Sequence, residues 1–516
     1  MCVEVVALDA LSVREHDLPD AQCRELRPQA THHFRSRQRE QQIDARPGRE
    51  GRIEGASQHH ATGLNPFDDG SAEGSVQQAD ANRPSRRHAQ HVEEVTGATI
   101  GEREAIGVHT IALVQENEIH VDDLAYTRRR MRTALIVGAG IGGLSAGIAL
   151  RQAGWNIRIF ERASSPRELG FGLSVAPNAI VALRELGVAD VVLARGFAPK
   201  RGEVRRMDGT VLKRAEFPPP EALGGPMVIA LRPALHGALL DAVGMDSIAP
   251  ASEATSFTLD GDRVALQLAD GRIVEGDLLV GADGTGSVIR KALHPSEPPP
   301  RDSGLVAVRG AVHGAVHHLG DNSAVYYLGP GVESAIVRAS ETGIYWFLSL
   351  ARALVPSGLR DPAAIVAHMS PQMDATFRAI TSATDDLRVD DLVDRDPIAF
   401  WGRGAVTLLG DAAHPVLPHT GQGAAQAIVD AVALGKALKD PSSVERALRA
   451  YEDDRRKKTA ALLAQGRRTA RVMRTMNPVA NWLREVAIRL MPVKTIVKVV
   501  VTINRRAGTD IRRNRS

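Results

Sequence analysis

The stretch Ala134-Leu135-Ile136-Val137-Gly138-Ala139-Gly140-Ile141-Gly142-Gly143-Leu144 decides the fold of this chain. Its first four residues are apolar and predict a buried strand of a parallel sheet. Gly138, Gly140 and Gly143 then interrupt the apolar run, and a helical pattern begins at Leu144. A strand, a glycine-rich turn and a helix N-terminus in this order are typical of a dinucleotide-binding unit.

Each part of this turn has a physical role in such a unit. Gly138 allows the tight turn, Gly140 lets the backbone approach a pyrophosphate, and Gly143 lets the helix pack closely on the strand. The first helical residues, Ile141 and Gly142, present backbone N–H groups and the positive end of the helix dipole to the anion. The turn therefore predicts a site for the phosphates of a dinucleotide.

A second predicted strand runs from Trp155 to Phe160 and ends at Glu161, which is followed by Arg162. A carboxylate about 20 residues beyond the turn fits a ribose hydroxyl in this kind of unit. A glycine-rich turn alone occurs in many α/β proteins. The acidic residue at this distance favours a dinucleotide site over a glycine-rich turn that occurs by chance. We therefore include Glu161 and Arg162 in the predicted dinucleotide site.

Composition places the chain among ordinary globular proteins of two or three domains, with 516 residues, 43% hydrophobic residues and a net charge of +3. This small charge predicts no nucleic-acid partner. No stretch reaches the roughly 18 uninterrupted apolar residues of a membrane span, so we expect no integral membrane segment. Cys2 and Cys23 are the only cysteines. A disulfide scaffold and a cysteine metal site are thus excluded from 131–516, no metal is predicted, and a reducing cytoplasm is the expected compartment.

Residues 1–130 are rich in Arg, Gln, His, Asp and Glu and carry little apolar periodicity. Low hydrophobicity predicts disorder. A second hypothesis is that translation starts at Met131, three residues before the nucleotide-binding strand, because no methionine lies between Met1 and Met131. A basic arm ending at 128–130 is the alternative, although acidic residues are interspersed throughout the segment.

Two more motifs follow in order along the chain. Asp283-Gly284 ends a predicted strand and precedes Arg290, and Gly410-Asp411 ends another and precedes His414-Pro415 and 421–424. Together with the first motif, these residues resemble the FAD-dependent monooxygenases known as single-component flavoprotein aromatic hydroxylases, which share the p-hydroxybenzoate hydroxylase fold. The likeness covers roughly residues 131–470 and is greatest to the salicylate, hydroxybenzoate, hydroxynicotinate and urate hydroxylase branch.

The resemblance implies an α/β fold. A Rossmann-like FAD-binding domain with a parallel sheet would be interleaved with a mixed β-sheet substrate domain and followed by a C-terminal helical region. The first part of the FAD domain is expected at 131–300, and a hairpin inside it at about 203–217 is expected to belong to the substrate layer. The substrate sheet is expected at 301–398 and the return to the FAD domain at 399–440. The C-terminal helices and the basic tail are expected at 441–516.

The resemblance also implies FAD as cofactor and NAD(P)H and O₂ as co-substrates. A C4a-hydroperoxyflavin would deliver a hydroxyl group to a small aromatic or heteroaromatic compound. Arg232 would pair with an FAD phosphate, Asp283 would lie near the pyrophosphate and the nicotinamide path, and Asp411 would bind the ribityl hydroxyls. A surface arginine and helix-capping aspartates are the alternatives. The full predicted cofactor set is Gly138, Gly140, Ile141, Gly142, Gly143, Glu161, Arg162, Arg232, Asp283, Gly284, Gly410, Asp411, Gly421, Gln422, Gly423 and Ala424.

No catalytic residue follows directly from the motifs, because this chemistry belongs mainly to the cofactor. His419 departs from the family pattern and could face the substrate, and Arg309 could meet a substrate carboxylate or be structural. Val308 stands where relatives often have an aromatic residue, which makes the predicted pocket less aromatic. The pocket strands contain aromatic residues for which a core position is the alternative: Tyr326, Tyr327, Tyr345 and Trp346.

Other functions stay open at this stage. One is a flavin epoxidase or hydroxylase of a bulkier natural product, and another is a flavin-binding redox protein without turnover. A halogenase is disfavoured because the chain has no Trp-x-Trp-x-Ile-Pro stretch. The basic tail from Trp482 to Arg515 predicts a helix docked on the domain, with peripheral membrane contact as the alternative. We expect a monomer or a homodimer that acts on a small molecule.

Overall fold

The computed structural model of the chain describes residues 131–166 and 171–507. The expectations for residues 1–130 lie outside these ranges. The strands within them are β1 (Thr133–Val137), β2 (Asn156–Phe160), β3 (Gly172–Val175), β4 (Arg201–Arg206), β5 (Val211–Glu216), β6 (Val228–Leu231), β7 (Ile248–Ala249), β8 (Ala254–Asp260), β9 (Arg263–Leu268), β10 (Ile273–Gly276), β11 (Leu278–Gly281), β12 (Arg301–His313), β13 (Ala324–Gly329), β14 (Val332–Arg338), β15 (Gly343–Ala351), β16 (Asp386–Asp394) and β17 (Val406–Leu408).

Several helices begin where the sequence supplies a capping side chain. Asp361, Asp374, Ser443 and Asn477 each accept a hydrogen bond from the backbone N–H three residues later. The helices are α1 (Ile141–Gln152), α2 (Pro177–Glu185), α3 (Ala189–Arg195), α4 (Pro220–Leu223), α5 (Arg232–Val243), α6 (Val288–Leu293), α7 (Pro362–Met369), α8 (Ala375–Ser382), α9 (Gly423–Ala437), α10 (Val444–Met473), α11 (Pro478–Leu490) and α12 (Val493–Ala507).

A parallel sheet with the strand order β17-β11-β1-β2-β7 forms the centre of the first layer. Its central strand β1 buries Ala134, Leu135 and Ile136 completely. Parallel strands covered on both faces are continuous apolar runs, which is why this segment is uniformly apolar. Helices α1 and α9 pack so closely that a Cβ on Gly435 would lie 2.9 Å from the carbonyl oxygen of Ala149.

A seven-stranded sheet with the order β16-β12-β15-β14-β13-β4-β5 forms the second layer. Its pairs are antiparallel except β13 with β4. Alternation along β15 sends Trp346 to one face, where its ring packs edge-on against Phe377 of α8 at a centroid distance of 5.8 Å. Tyr345 and Phe347 point to the opposite face, because successive strand residues alternate.

The two layers are interleaved along the chain, as the predicted fold class requires. The hairpin β4–β5 turns at Asp208-Gly209, with Gly209 at φ +90°, and belongs to the seven-stranded sheet although it lies between segments of the parallel layer. A three-stranded meander, β8–β10, and a two-stranded sheet, β3 with β6, complete the strands. The prediction of a Rossmann-like layer interleaved with a mixed sheet and followed by C-terminal helices is confirmed.

Three helices, α10 to α12, end the described chain. Helix α10 has 30 residues and buries apolar positions such as Leu448, Leu462 and Leu463 along one side. None of the helices in the described part of the chain is long and apolar enough to cross a membrane.

Candidate functional site

A cavity of about 420 Å³ opens at the carboxyl ends of β1, β2 and β11. This edge of a parallel sheet is where open α/β folds bind ligands. Its lining combines residues from all three sequence motifs. The predicted cofactor residues that line it are Gly138, Gly140, Ile141, Gly142, Glu161, Arg162, Arg232, Asp283, Gly284, Gly410, Asp411, Gly423 and Ala424.

The glycines of the first turn differ in what surrounds them. Gly138 has φ +98°, and a Cβ there would lie 2.6 Å from the carbonyl oxygen of Ala282. A Cβ on Gly143 would lie 1.9 Å from the carbonyl oxygen of Gly138, so this position requires glycine for packing inside the turn. A Cβ on Gly140 would meet nothing within 4 Å. Gly140 thus borders open space at the N-terminus of α1, whereas Gly143 packs directly against the backbone of the turn.

The carboxylate of Glu161 joins two backbone segments beside this turn. Its Oε2 accepts a hydrogen bond from the Ala139 N–H at 2.8 Å, and its Oε1 accepts one from the Ala163 N–H at 2.9 Å. Each carboxylate oxygen can accept more than one hydrogen bond. Glu161 therefore fixes the shape of the turn, and its predicted contact with a ribose remains compatible with these bonds.

Asp283 of the second motif brings a buried carboxylate to the cavity. Its Oδ2 accepts a hydrogen bond from the Val288 N–H at 2.8 Å, which caps the start of α6. Its Oδ1 is buried and has no hydrogen-bond partner within 131–166 and 171–507. Burial raises the pKa of Asp283, although hydrogen bonds from Ser287 and nearby backbone groups oppose this. A buried acceptor that lines a cavity needs a donor, and a bound ligand can supply one.

Arg290 ties the second motif to the third. Its guanidinium is buried and donates from Nη1 to the carbonyl oxygens of Ala412 and Ala413 at 3.0 and 2.7 Å. Its Nε and Nη2 donate to the two carboxylate oxygens of Glu297 at 2.7 and 2.6 Å. The arginine thus holds the loop that contains Asp411 at the rim of the cavity.

A fully buried charge cluster holds the same loop from the other side. Asp430 accepts hydrogen bonds from the Gly410 N–H at 3.1 Å and from Arg455 Nε at 2.6 Å, and its Oδ2 lies 2.5 Å from His414 Nε2. Burial raises the pKa of Asp430, but His414 and Arg455 outweigh burial and lower it to about 2. His414 is therefore part of the support for the third motif.

The N-terminus of α9 contributes a further part of the cavity wall. Gly421 has φ +62° and ends the turn before the helix, and Gln422 accepts a hydrogen bond from Asn178 Nδ2 at 3.0 Å. Gly423 and Ala424, the first helical residues, line the cavity. Gly143, Gly421 and Gln422 are the predicted residues that do not line it, and they shape the helix starts instead.

Arg232 and His236 lie one turn apart at the start of α5 and both line the cavity. His236 is buried, and its Nε2 lies 2.8 Å from the carbonyl oxygen of Ala139 in the first turn. Sequence reasoning missed His236, although its spacing of four residues from Arg232 places both on one helix face. It also missed Ser252, Glu253 and Ala254, which lie before and at the start of β8 and belong to no motif.

The two catalytic candidates lie at the substrate sheet rather than in the cofactor cavity. His419 is buried, its Nδ1 lies 2.8 Å from Glu333 Oε2 on β14, and its Nε2 has no partner among the residues that the structure describes. Arg309 of β12 donates from Nη1 to Asp390 Oδ2 at 3.0 Å. That ion pair occupies part of its donor capacity.

A second cavity, which we call the apolar cavity, has a volume of about 140 Å³ and lies on the sheet face that carries Tyr345 and Phe347. Leu173, Phe217 and Ile229 line it. Val493, Ile496 and Val497 of α12 provide another part of its wall. Its polar lining residues are Ser174, Glu203, Lys213, Glu216, Tyr326 and Tyr345.

The strand aromatics divide between the core and this cavity. Tyr326 and Tyr345 line the apolar cavity, whereas Tyr327 and Trp346 are buried on the opposite face of the sheet. Burial raises the pKa of Tyr345, and the positive charges of Arg309 and Arg232 oppose this. Tyr345 lies against β3, where a Cβ on Gly172 would approach its ring to 2.3 Å, and Gly172 pairs with Leu231, the residue before Arg232.

The comparison with protein families decides the cofactor. A family model described as FAD binding domain matches residues 131–466. The chain belongs to this FAD-binding family. FAD is its cofactor, as predicted, and the chain is an oxidoreductase of the FAD-dependent aromatic monooxygenase group.

Individual relatives of this FAD-binding protein are monooxygenases. Aurachin C monooxygenase/isomerase of Stigmatella aurantiaca is 34% identical over 365 residues, which cover 70% of this chain and 94% of the relative. A 3-amino-4-hydroxybenzoate 2-monooxygenase of Streptomyces cremeus is 32% identical over 65% of this chain and 86% of the relative. Klebsiella pneumoniae HpxO, solved with FAD and uric acid, has a TM-score of 0.69 and 26% identity, covering 74% of this chain and 98% of HpxO.

The residues of this chain fit FAD. The open space at Gly140 leaves room for a pyrophosphate beside the backbone. Hydrogen-bond donors for phosphates and for a flavin ring come from the helix N-termini of α1 and α9 and from the cation Arg232. The buried Oδ1 of Asp283 provides an acceptor that lacks a donor within the described chain. A cavity that combines cationic, N–H and carboxylate groups suits a ligand with a pyrophosphate and several hydroxyls.

Proposed function

We propose that this protein is a monooxygenase that uses NAD(P)H and O₂ to hydroxylate a small aromatic or heteroaromatic compound. The observation that carries the proposal is the combination of all three sequence motifs around one cavity, next to a sheet face that carries Tyr345 and Phe347. The monooxygenase relatives and the HpxO complex with uric acid support the same reaction class.

The proposed roles of the cofactor residues follow from their chemistry. The α1 N-terminus and Arg232 would hold the pyrophosphate, Glu161 the adenosine ribose, and Asp411 the ribityl hydroxyls. The α9 N-terminus, at Gly423, would stabilise negative charge on the flavin ring. When bound, FAD supplies the transfer of reducing equivalents from NAD(P)H to O₂.

The substrate side would depend on positioning and on water exclusion. The apolar cavity keeps water from a bound ring, which matters because water promotes loss of the oxidising equivalents without substrate oxidation. Tyr345 supplies a phenol at the border of this cavity. The buried pair of His419 and Glu333 would position the loop between the sheet and α9, with His419 Nε2 left to meet a substrate atom or the flavin.

A second candidate function is oxidation of a bulkier natural product, by hydroxylation or epoxidation. The apolar cavity favours it, because its wall includes Leu173, Ile229, Ile496 and Val497 and offers few partners for a substrate carboxylate. Arg309, the predicted partner of a carboxylate, is paired with Asp390. Both observations favour a ring that carries an apolar substituent.

Anaerobic flavin reduction tests the proposal. The purified full chain with FAD is mixed with NADH or NADPH, and the flavin absorbance is followed with phenolic acids, with heteroaromatic rings, and with the same rings carrying an alkyl chain. Faster bleaching with one ring class, followed by formation of a hydroxylated product in air, would support a monooxygenase. Preference for the alkylated members would support the second candidate. A flavin that neither cofactor reduces under any condition would favour a redox protein without turnover and overturn the proposal.

A further inference from the structure

Helix α11 shows the reverse of the usual amphipathic arrangement. Its outward side carries large apolar side chains, with Trp482, Leu483 and Leu490 exposed to 57%, 54% and 77%. The side chains buried toward the protein are the polar Asn481 and Arg484 and one apolar side chain, Ile488. Surface helices normally turn their apolar stripe toward the core. An exposed apolar stripe on a docked helix marks an interaction surface.

Polar contacts fix α11 in this orientation. Arg484 Nη2 donates to the carbonyl oxygen of Gly329 at 3.0 Å, and Glu485 forms an ion pair with Arg206 of β4. Lys213 Nζ of β5 donates to the carbonyl oxygens of Ile488 and Met491 at the end of the helix. Rotating the helix to bury its apolar stripe would break all these bonds, so the exposed stripe belongs to the folded state.

The apolar stripe continues to the start of α12. Val479, Trp482 and Leu483 lie at helical spacing on α11, and Leu490 and Val493 extend the exposed surface to the next helix. We call these five residues the outer face.

Positive charge surrounds the outer face. Arg489, Lys494 and Lys498 are exposed beside it. Glu485 is the only acidic residue in 478–507, and it is paired with Arg206. The residues beyond 507 add Arg512, Arg513 and Arg515 against Asp510 in sequence. An apolar stripe with tryptophan and leucine, bordered by lysine and arginine, has the chemistry of a helix that lies in the interface of an anionic lipid bilayer.

We propose that the outer face docks this protein on an anionic lipid surface, with α11 lying in the plane of the membrane interface. Trp482, Leu483 and Leu490 insert among the acyl chains near the headgroups, and Lys494 and Lys498 contact lipid phosphates. Docking brings α12, which also lines the apolar cavity through Val493, Ile496 and Val497, to the lipid surface. This proposal does not rest on the proposed function, because the exposure of the outer face and the charges beside it are the same whatever reaction the protein catalyses.

Vesicle flotation tests it with the full FAD-loaded chain. Vesicles are made either of phosphatidylcholine alone or of equal parts phosphatidylcholine and phosphatidylglycerol. We expect the protein to float with the anionic vesicles, and less so as salt is raised, because exposed charges are screened. The tryptophan emission should shift to the blue on binding, because Trp482 is exposed whereas Trp155, Trp346 and Trp401 are already buried.

Two sets of variants separate the contribution of the apolar side chains to vesicle binding from that of the basic side chains. Replacing Trp482 and Leu483 by serine (W482S/L483S) should weaken vesicle binding by about tenfold or more, because both side chains lose their apolar burial. Replacing Lys494 and Lys498 by glutamine should weaken binding to anionic vesicles by roughly fivefold for each lysine and leave the weak binding to neutral vesicles unchanged. The matched control is Ile273→Ser, since Ile273 is 67% exposed on β10 outside the outer face and should float like the wild type.

Several outcomes would overturn the proposal. The wild type could remain at the bottom of the gradient with both kinds of vesicle, or W482S/L483S could float as well as the wild type. A wild type that sediments as a dimer without lipid, while W482S/L483S sediments as a monomer, would assign the outer face to contact between two copies. Retained flavin absorbance and an unchanged melting temperature in W482S/L483S establish that the variant is folded.

Discussion

The imidazole of His419 lies with Nδ1 2.8 Å from Glu333 Oε2, and both side chains are buried. His419 precedes α9 of the flavin layer, whereas Glu333 belongs to β14 of the substrate sheet. The pair therefore couples the loop of the third motif to the sheet that borders the apolar cavity.

A double-mutant cycle on this pair should show that the two residues act together. We expect Glu333→Ala and His419→Ala each to lower the free energy of unfolding by about 1–3 kcal/mol, because each removes a hydrogen bond between two buried polar side chains. The loss of unfolding free energy in the double variant should be smaller than the sum of the losses in the two single variants by about 1–3 kcal/mol. Urea unfolding measures the cycle, and strict additivity would show that the contact carries no coupling.

Gly143→Ala and Gly140→Ala form a matched pair in the first turn. The added Cβ at Gly143 would lie 1.9 Å from a backbone oxygen, so we expect a loss of stability of roughly 3 kcal/mol or more. At Gly140 the Cβ meets nothing within 4 Å, so stability should change by no more than about 0.5 kcal/mol. The affinity for FAD should nevertheless fall by about tenfold or more, because the methyl group enters the space assigned to the pyrophosphate.

Thermal unfolding of the apoprotein and FAD titration separate the two effects in this pair. If Gly140→Ala bound FAD like the wild type, the pyrophosphate would not approach this residue.

Asp430→Asn should lower stability by about 3–5 kcal/mol at neutral pH, because it leaves the buried guanidinium of Arg455 without a carboxylate. The folded-state pKa of Asp430 is lowered to about 2 from an ordinary value of 3.8. Its ionic contribution is therefore fully present above about pH 4 and is lost as the pH falls toward 2.

The difference between wild type and Asp430→Asn should accordingly shrink by roughly 2–3 kcal/mol across that pH range. Urea unfolding of both proteins from neutral pH downward checks this. A difference that stays constant to pH 2 would contradict the assignment of the lowered pKa to Asp430.

Asp283→Asn should separate protein stability from cofactor binding. Burial raises the pKa of Asp283, so its ionised form lowers the stability of the folded protein at neutral pH. Asparagine carries no charge and removes this loss of stability. Its side-chain oxygen can take the place of Asp283 Oδ2 and accept the hydrogen bond from the Val288 N–H. We expect an apoprotein as stable as the wild type to within about 1 kcal/mol, with a lower FAD affinity or slower reduction by NAD(P)H. Unchanged affinity and reduction would show that Asp283 serves only as a helix cap.

Much of the fold follows from local sequence. The continuous apolar run of β1, the glycines that follow it and the spacing to Glu161 predict the first βαβ unit, because these features depend on residues that are close in the chain. The hairpin expected at about 203–217 is β4–β5, and its turn at Asp208-Gly209 is likewise a local feature of the sequence. The motif residues Asp283 and Asp411 were predicted through resemblance, and the structure brings both to the cavity lined by the first turn.

Only the tertiary structure decides which distant residues meet. The sequence pattern does not show that His236 would contact the first turn, that Glu333 would face His419, or that Arg455 would pair with Asp430. Strand register decided that Tyr345 borders a cavity while Trp346 packs in the core, because a shift of one residue exchanges the two faces of a strand.

The orientation of α11 has the same origin. The sequence of the basic tail predicts a helix docked on the domain but does not show which of its sides is buried. Arg484 contacts Gly329 and Glu485 contacts Arg206, and these contacts leave the apolar stripe exposed. The sequence by itself determined where strands, turns and helices begin. Secondary-structure propensity, the conformational freedom of glycine and helix capping each depend on only a few neighbouring residues. Which face of α11 is buried depended on contacts with Gly329 and Arg206, which lie 155 and 279 residues from their partners on the helix. Such contacts form only when the layers pack together.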